Sequence, residues 1–374
     1  MRHYAVKHMN ITIAGGGNIG TQFAVHCAEK NHRVVIYSSK PECFDERLFI
    51  VDEKGVTIHE GNIAEATKDA ERAFCDADII FVTTPAFCMK DMSEQILPYV
   101  KKGAKIGLIP GTGGGEWFFR KCIEKGVILF GLQRVPSVAR LVEYGKKVCA
   151  SGYRPELFIA TLPHQYQEEI QEFISSIFDK PCVGLPNYLN LTLAPSNPIL
   201  HTSRLRVLFS DYHEGRIYES VPLFYEEWND ESSELLFKCD DEVQRICRAL
   251  KEFDLSYVKS LRVHYESKTL EQLTRKISSI QSFKGLKTPT IECGGGYIPD
   301  LHSRYFTADF SFGLGILVQI AEFADVEVPC MKETLEWYEQ IAVVKKRFCF
   351  ADFGINNGEK FLTLYRDSKF FANK

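Results

Sequence analysis

Three short segments of this 374-residue chain hold residue types that do chemistry together. Pro195-Ser196-Asn197-Pro198-Ile199-Leu200-His201 and Arg304-Tyr305-Phe306-Thr307-Ala308-Asp309 lie roughly a hundred residues apart. They supply a histidine for acid–base work, a carboxylate to orient it, and a guanidinium that grips a carboxylate in bidentate fashion. The third segment, Gly15-Gly16-Gly17-Asn18-Ile19-Gly20, suits a dinucleotide. Such a set is expected of a dehydrogenase acting on a keto acid or its imine.

Each of these features has its alternatives. Asn197-Pro198 is a favoured pair for starting a helix, which places His201 in the first turn and on the face of Asn197. The positive end of a helix dipole disfavours an imidazolium and favours a bound anion. An opposing carboxylate restores the proton affinity that an acid–base group needs. A lone histidine in a helical region is more often a surface or packed residue. Asp309 also stands where the cap of a helix starting near Ser311 is expected, so a structural Arg304–Asp309 capping pair is the alternative.

The glycine segment is clearer, because it follows a strand, Asn10–Ala14, and opens a helix, Thr21–Lys30. Gly15 permits the tight turn, Gly17 lets backbone approach the pyrophosphate, and Gly20 lets helix and strand pack closely. The backbone of Asn18 and Ile19 then opens the helix towards the phosphates. The second strand, Arg33–Tyr37, runs into Ser38-Ser39-Lys40 with no acid to accept from a ribose 2′-hydroxyl. Two hydroxyls and a lysine suit a 2′-phosphate, so NADP(H) is favoured over NAD(H). The alternatives are a solvated Lys40, or Glu42 reaching the ribose. Thr83-Thr84-Pro85 ends another strand at the edge where ligands bind, and Thr84 is expected to border the nicotinamide half. The glycines from Gly111 to Gly115 sit at a similar edge. Arg134 and Arg140 are candidates for a second substrate carboxylate, with surface arginines near a turn as the alternative. Tyr218, Tyr225 and Trp228 read as core packing before they read as a pocket.

The elements that must position these groups change character along the chain. Apolar strands at Asp78–Val82, Lys105–Ile109, Val127–Gly131 and Leu157–Ala160 alternate with helical stretches such as Ser93–Val100 and Gln165–Phe178. That alternation predicts an α/β fold with a doubly wound parallel sheet over 1–186. From Asn187 the texture is helical, with Ser232–Phe253, Thr269–Ser279, Phe312–Ala324 and Lys332–Val344 as the clearest segments. Pro181 and Pro186 mark the crossing into a mostly α-helical domain over 187–374. The stretch from Arg347 to Lys374 is aromatic and basic and receives no role.

Composition narrows the class. Hydrophobic and charged contents of 45% and 25% are those of a globular chain, and a net charge of −4 gives no support for nucleic-acid binding. No membrane partner is expected, since no apolar run reaches the ~18 residues of a span. Arg2, His3, Lys7 and His8 surround no long apolar stretch, so Met1 to Asn10 is not read as a secretory signal. The 12 cysteines form no C-x-x-C pair, which predicts free thiols in a reducing cytoplasm and no metal site. The expected partners are small molecules, and a homodimer stays open.

The glycine loop, the Asn197-to-His201 segment, Arg304-Tyr305-Phe306-Thr307-Ala308-Asp309 and the following Phe312-Gly313-Leu314-Gly315 together resemble the opine dehydrogenase family, also called octopine/nopaline dehydrogenases. The resemblance spans nearly the whole chain. It implies a Rossmann domain, then a helical domain, with the active site in the cleft between. It also implies NAD(P)H-dependent condensation of an amino acid with a 2-keto acid through an imine. His201 and Asp309 would then be the acid–base pair and Arg304 the keto-acid anchor; Asn197 and Arg140 are further candidates for substrate contact by their positions in the chain and not by the resemblance. Thr202 departs from the proline that many members carry after the histidine. The rival readings are a ketoacid or hydroxyacid reductase resembling ketopantoate reductase, and a non-catalytic NADP-binding protein.

Overall fold

The computed structural model describes residues 8–194 and 196–366. Arg2, His3, Lys7, Pro195 and the last residues of the basic tail lie outside them. The chain forms two compact units. The first runs to Leu191 and takes back the chain from Tyr365, and the second is Thr192–Leu364. The division falls within the short helix Leu189–Thr192, a few residues beyond the expected 186.

The first unit alternates strands and helices only in part. Its strands are β1 (Asn10–Ala14), β2 (Arg33–Tyr37), β3 (Arg47–Val51), β4 (Thr57–Asn62), β5 (Glu65–Thr67), β6 (Ile79–Val82), β7 (Lys105–Leu108), β8 (Ile128–Leu132), β9 (Val138–Glu143), β10 (Lys147–Ser151), β11 (Leu157–Leu162) and β12 (Cys182–Gly184). Eight of them form one sheet in the order β12-β11-β8-β7-β6-β1-β2-β5. From β5 to β8 the sheet is parallel, and all four residues of β6 are buried, as strands covered on both faces require. The expectation of a wholly parallel sheet needs one correction. β11 runs antiparallel to β8, because the chain leaves β8, makes the β9–β10 hairpin and re-enters from the same end.

A second sheet, β4-β3-β10-β9, was not anticipated. The helix Asn18–Glu29 packs against it as well as against the large sheet. Gly61 of β4 lies so close to this helix that an added Cβ would stand 2.6 Å from the Ala28 Cβ. The helix is therefore buried without a break from Gly20 to Cys27, including the polar Thr21, Gln22 and His26.

The second unit is helical apart from a hairpin of β13 (Thr290–Cys293) and β14 (Gly296–Pro299). Its main helices are Ser196–Leu208, Asp230–Ala249, Leu270–Ser279, Gly315–Phe323 and Pro329–Ile341. Leu270–Ser279 starts on a reciprocal cap in which Thr269 accepts from the Gln272 amide and Gln272 accepts from the Thr269 amide. Arg304–Phe323 is one helical run long and apolar enough to cross a membrane, and most of it is buried inside the unit, as core helices are. The aromatic stretch after Arg347 also has a place. Phe348, Phe350 and Phe361 are buried, and Phe350 and Phe361 pack on Phe323. All 12 cysteines are free.

Candidate active site

In the first unit, the glycine loop lies at the carboxyl end of β1, between β2 and β6, where the order of the parallel strands reverses. Open α/β sheets bind ligands at that point. Gly15 has φ +119°, and an added Cβ would meet the Thr83 hydroxyl at 2.8 Å. A Cβ on Gly20 would stand 1.7 Å from the Gly15 carbonyl oxygen, so helix and strand can approach only because that position is bare. Gly17 differs, since nothing lies within 4 Å of its Cβ position. It precedes a twelve-residue helix with no side-chain cap, which leaves open space beside unpaired N–H groups, the cradle a pyrophosphate needs.

Around the cradle the side chains divide into those already engaged and those left available. Asn18 Oδ1 accepts from the Leu141 amide at 2.7 Å, so its side chain serves the scaffold and only its backbone faces a ligand. Ile19 is half-buried against the core. Ser38 is buried, with its hydroxyl 3.1 Å from that of Tyr144, whereas Ser39 and Lys40 are exposed. The Thr84 hydroxyl is buried with no hydrogen-bond partner, an orphan that a bound polar group would satisfy. Gly111 is bare for a packing reason. It packs against Gly131, where an added Cβ would stand 2.8 Å from the facing Cα. Arg140 is exposed on edge strand β9 and donates to the Ala139 carbonyl at 3.0 Å.

In the second unit, His201 is buried. Its Nδ1 donates to Asp309 Oδ2 at 2.7 Å, and its Nε2 lies 2.6 Å from the Tyr225 hydroxyl. A carboxylate only accepts, which places the proton of the neutral ring on Nδ1 and leaves the Nε2 lone pair to accept from Tyr225. Burial and the neighbouring Tyr305 push the Tyr225 phenol well above its ordinary range, so it remains a donor. The Tyr305 ring lies 4.6 Å from the imidazole, and Phe283 stacks on Tyr225 at 4.2 Å.

Asp309 is not a helix cap. It has helical backbone angles and makes no side-chain capping bond, and the chain passes through it into a wide turn, Phe310–Leu314. The Leu314 amide donates back to the Asp309 carbonyl at 2.8 Å, five residues away. Turns of this kind concentrate at functional sites. The helix Ser196–Leu208 starts before Asn197, which is exposed in its first turn and is not the capping residue. Pro198 remains compatible with that turn, whose amides lack partners in any case. His201 thus lies beyond the first turn, where the dipole fades and Asp309 supplies the local charge. Thr202 continues the helix, its hydroxyl donating back to the Pro198 carbonyl. Close approach brings the pair together: an added Cβ on Gly313 would meet Pro198 at 2.5 Å.

Arg304 begins the helix Arg304–Thr307, beside Tyr305. It is exposed, and among the described residues its guanidinium has no ion-pair partner. Sequence reasoning missed Arg204 and placed Tyr225 in the core before a pocket. Arg204 is 1% exposed, and burial pushes its guanidinium down to about 10. It donates to the Phe224 carbonyl at 3.0 Å, the Glu227 carbonyl at 2.6 Å and Asn229 Oδ1 at 3.1 Å. Those bonds clamp the loop that carries Tyr225 onto the histidine's helix.

Residues 184–342 match the family described as NAD/NADP octopine/nopaline dehydrogenase, alpha-helical domain. Residues 10–112 match the NAD-dependent glycerol-3-phosphate dehydrogenase N-terminus. The units are those of a nicotinamide-dependent dehydrogenase. The chain is 24% identical to octopine dehydrogenase of Mizuhopecten yessoensis, covering 89% of this chain and 90% of that one. It is 26% identical to tauropine dehydrogenase of Arabella iricolor over 74% of each. An octopine dehydrogenase structure with NADH and L-arginine has the same fold, with TM-score 0.81, 21% identity, and 95% and 98% of the two chains covered. The second unit thus carries the helical domain of the octopine/nopaline dehydrogenases, and the chain as a whole is similar in sequence and fold to opine dehydrogenases.

Proposed function

We propose that this enzyme joins the amino group of an amino acid to the carbonyl carbon of a 2-keto acid and reduces the resulting imine. The observation that carries the proposal is His201, buried between the carboxylate of Asp309 and the hydroxyl of Tyr225. A nicotinamide, when bound, supplies the hydride. His201 takes a proton from the attacking amine and returns one to the departing water. Asp309 holds the ring in one tautomer and stabilises its charged form. Arg304 anchors the keto-acid carboxylate, for which its unpaired guanidinium is suited. Tyr225 covers Nε2 in the resting arrangement and gives that nitrogen up to substrate.

Gly15, Gly17 and Gly20 form the pyrophosphate cradle, with the backbone of Asn18 and Ile19 and the Thr84 hydroxyl around it. NADP(H) is preferred to NAD(H), because Ser39 and Lys40 stand exposed at the end of β2 with no acid at the ribose position. Asn197 lies on the face of His201 as a secondary substrate contact. The free thiols suit a reducing cytoplasm.

The test is oxidation of NADPH and of NADH with a panel of keto acids, each with and without a pool of amino acids. Oxidation that requires both substrates is expected, with NADPH used better. Oxidation with a keto acid alone would instead make this a ketoacid reductase, and His201 would then protonate an alkoxide.

A further inference from the structure

Away from the glycine loop, the first unit holds a set of donors that the dehydrogenase reading does not use. His26 and Glu29 lie three residues apart on the helix Asn18–Glu29, which places them on one face, and His59 reaches them from β4. One potential ligand atom from each of the three lies within 4.8 Å of the other two. From these positions we propose that His26, Glu29 and His59 bind a divalent transition-metal ion, with zinc as the chemistry best matched.

Two imidazoles and one carboxylate form the donor set of borderline metals. Magnesium and calcium prefer oxygen alone. The His59 Nδ1 already lies 2.8 Å from Glu29 Oε2, and the two imidazole rings are 4.6 Å apart at 57°. Tetrahedral zinc with bonds near 2.0–2.1 Å wants its donors about 3.4 Å apart. The remaining closure is small and falls to Glu29 and His59, whose side chains are 36% and 32% exposed and free to adjust. His26 is the fixed point. It is 3% exposed, and its Nε2 lies 3.0 Å from the Tyr153 hydroxyl. Ligating histidines ordinarily have a ring partner of this kind, which sets their orientation.

Three protein ligands leave a fourth position for water at the exposed side. The site would join β4, the outer strand of the second sheet, to the helix whose other end opens at Gly17. Gly61 shows how closely that strand already approaches the helix, and an added Cβ there would stand 2.9 Å from the Val25 carbonyl oxygen. A bound ion therefore acts as a staple within the first unit. Its assay needs no substrate, so it stands or falls separately from the proposed reaction.

The experiment is titration of the full chain with cobalt(II) chloride, followed by calorimetry and absorption, and of His59→Ala and Glu29→Gln alongside. His26→Ala is avoided, because it empties a buried position and threatens the fold. One cobalt ion per chain is expected, with visible ligand-field bands and no thiolate charge-transfer band. Affinity should fall more than about tenfold in each variant. Zinc chloride should raise the melting temperature of the unaltered chain by several degrees and that of His59→Ala hardly at all, with magnesium chloride inert on both. Absence of stoichiometric binding, a thiolate band from the cysteines, or binding by either variant as tight as by the unaltered chain would overturn the site.

Discussion

Replacing Asp309 by Asn is the sharpest test of the dyad, because it removes a charge and almost nothing else. Asp309 Oδ2 accepts from His201 Nδ1 at 2.7 Å, and the two side chains are 18% and 8% exposed. With charge centres about 4 Å apart in such a setting, the carboxylate stabilises an imidazolium by about 4 kcal/mol. That energy is felt only when the ring carries a proton during turnover, so about three decades of kcat should be lost. An amide can also donate to Nδ1, which moves the ring proton to Nε2 and turns Tyr225 from donor into acceptor. Cofactor affinity, measured by quenching or enhancement of nicotinamide fluorescence, should not change, since the glycine loop belongs to the other unit. The second half of the test is the double variant. If Asp309 acts through His201, His201→Ala with Asp309→Asn should be no slower than His201→Ala alone. Losses that multiply, or a fall in kcat of less than about tenfold, would refute the pairing.

Arg304→Ala should raise the KM for the keto acid roughly a hundredfold, the loss expected for a charge-assisted pair worth about 3 kcal/mol; a change confined to the amino substrate would contradict the anchor. Arg204→Met should lower stability by about 3–5 kcal/mol in urea denaturation, because it strands carbonyls that now receive a buried cation. A cost below about 1 kcal/mol would show that the Tyr225 loop does not depend on it. Burial raises the Asp240 carboxyl from 3.8 to about 6. The folded state then holds the proton more tightly, so the contribution to stability is present below the unfolded value and is lost as pH rises through about 6. Denaturation between these limits should show a loss of about 3 kcal/mol from this group, and Asp240→Asn should abolish that slope. A slope that survives the substitution belongs to another residue.

What the sequence made legible was local. The Gly15-to-Gly20 turn, its helix and the β1 and β2 strands declare themselves because positive φ, close approach and apolar runs leave marks within a few residues. The second sheet left no such mark. β4 reads Thr-Ile-His-Glu-Gly-Asn and has no fully buried residue, so a pattern search for apolar strands passes over it. Nor can periodicity give the direction of β11, which follows from where the hairpin before it returns. Asp309 had a helix cap as its alternative, since a short acid before an apolar helix is the ordinary signal for one. Tyr225 and Arg204 were hidden for different reasons. Tyr225 lies in a loop with no period, and Arg204 is a cation in a helix, which usually means a solvated one. Only the folded arrangement shows that the carbonyls of a loop surround it.

The wide turn at Phe310–Leu314 explains how one helical run serves two demands. Downstream, Leu317, Ile320 and Ala321 must point into the core, and all three are buried. Upstream, Asp309 must point at His201, and Arg304 must remain exposed. An unbroken α-helix links these requirements through a fixed rotation of about 100° per residue. The bond from the Leu314 amide to the Asp309 carbonyl spans one residue more than a regular turn and absorbs a phase difference of that size. Without the extra residue, either the carboxylate would swing away from the imidazole or the apolar face would leave the core. Gly313, bare against Pro198, lets the widened turn lie against the histidine's helix at the point where the two side chains must meet.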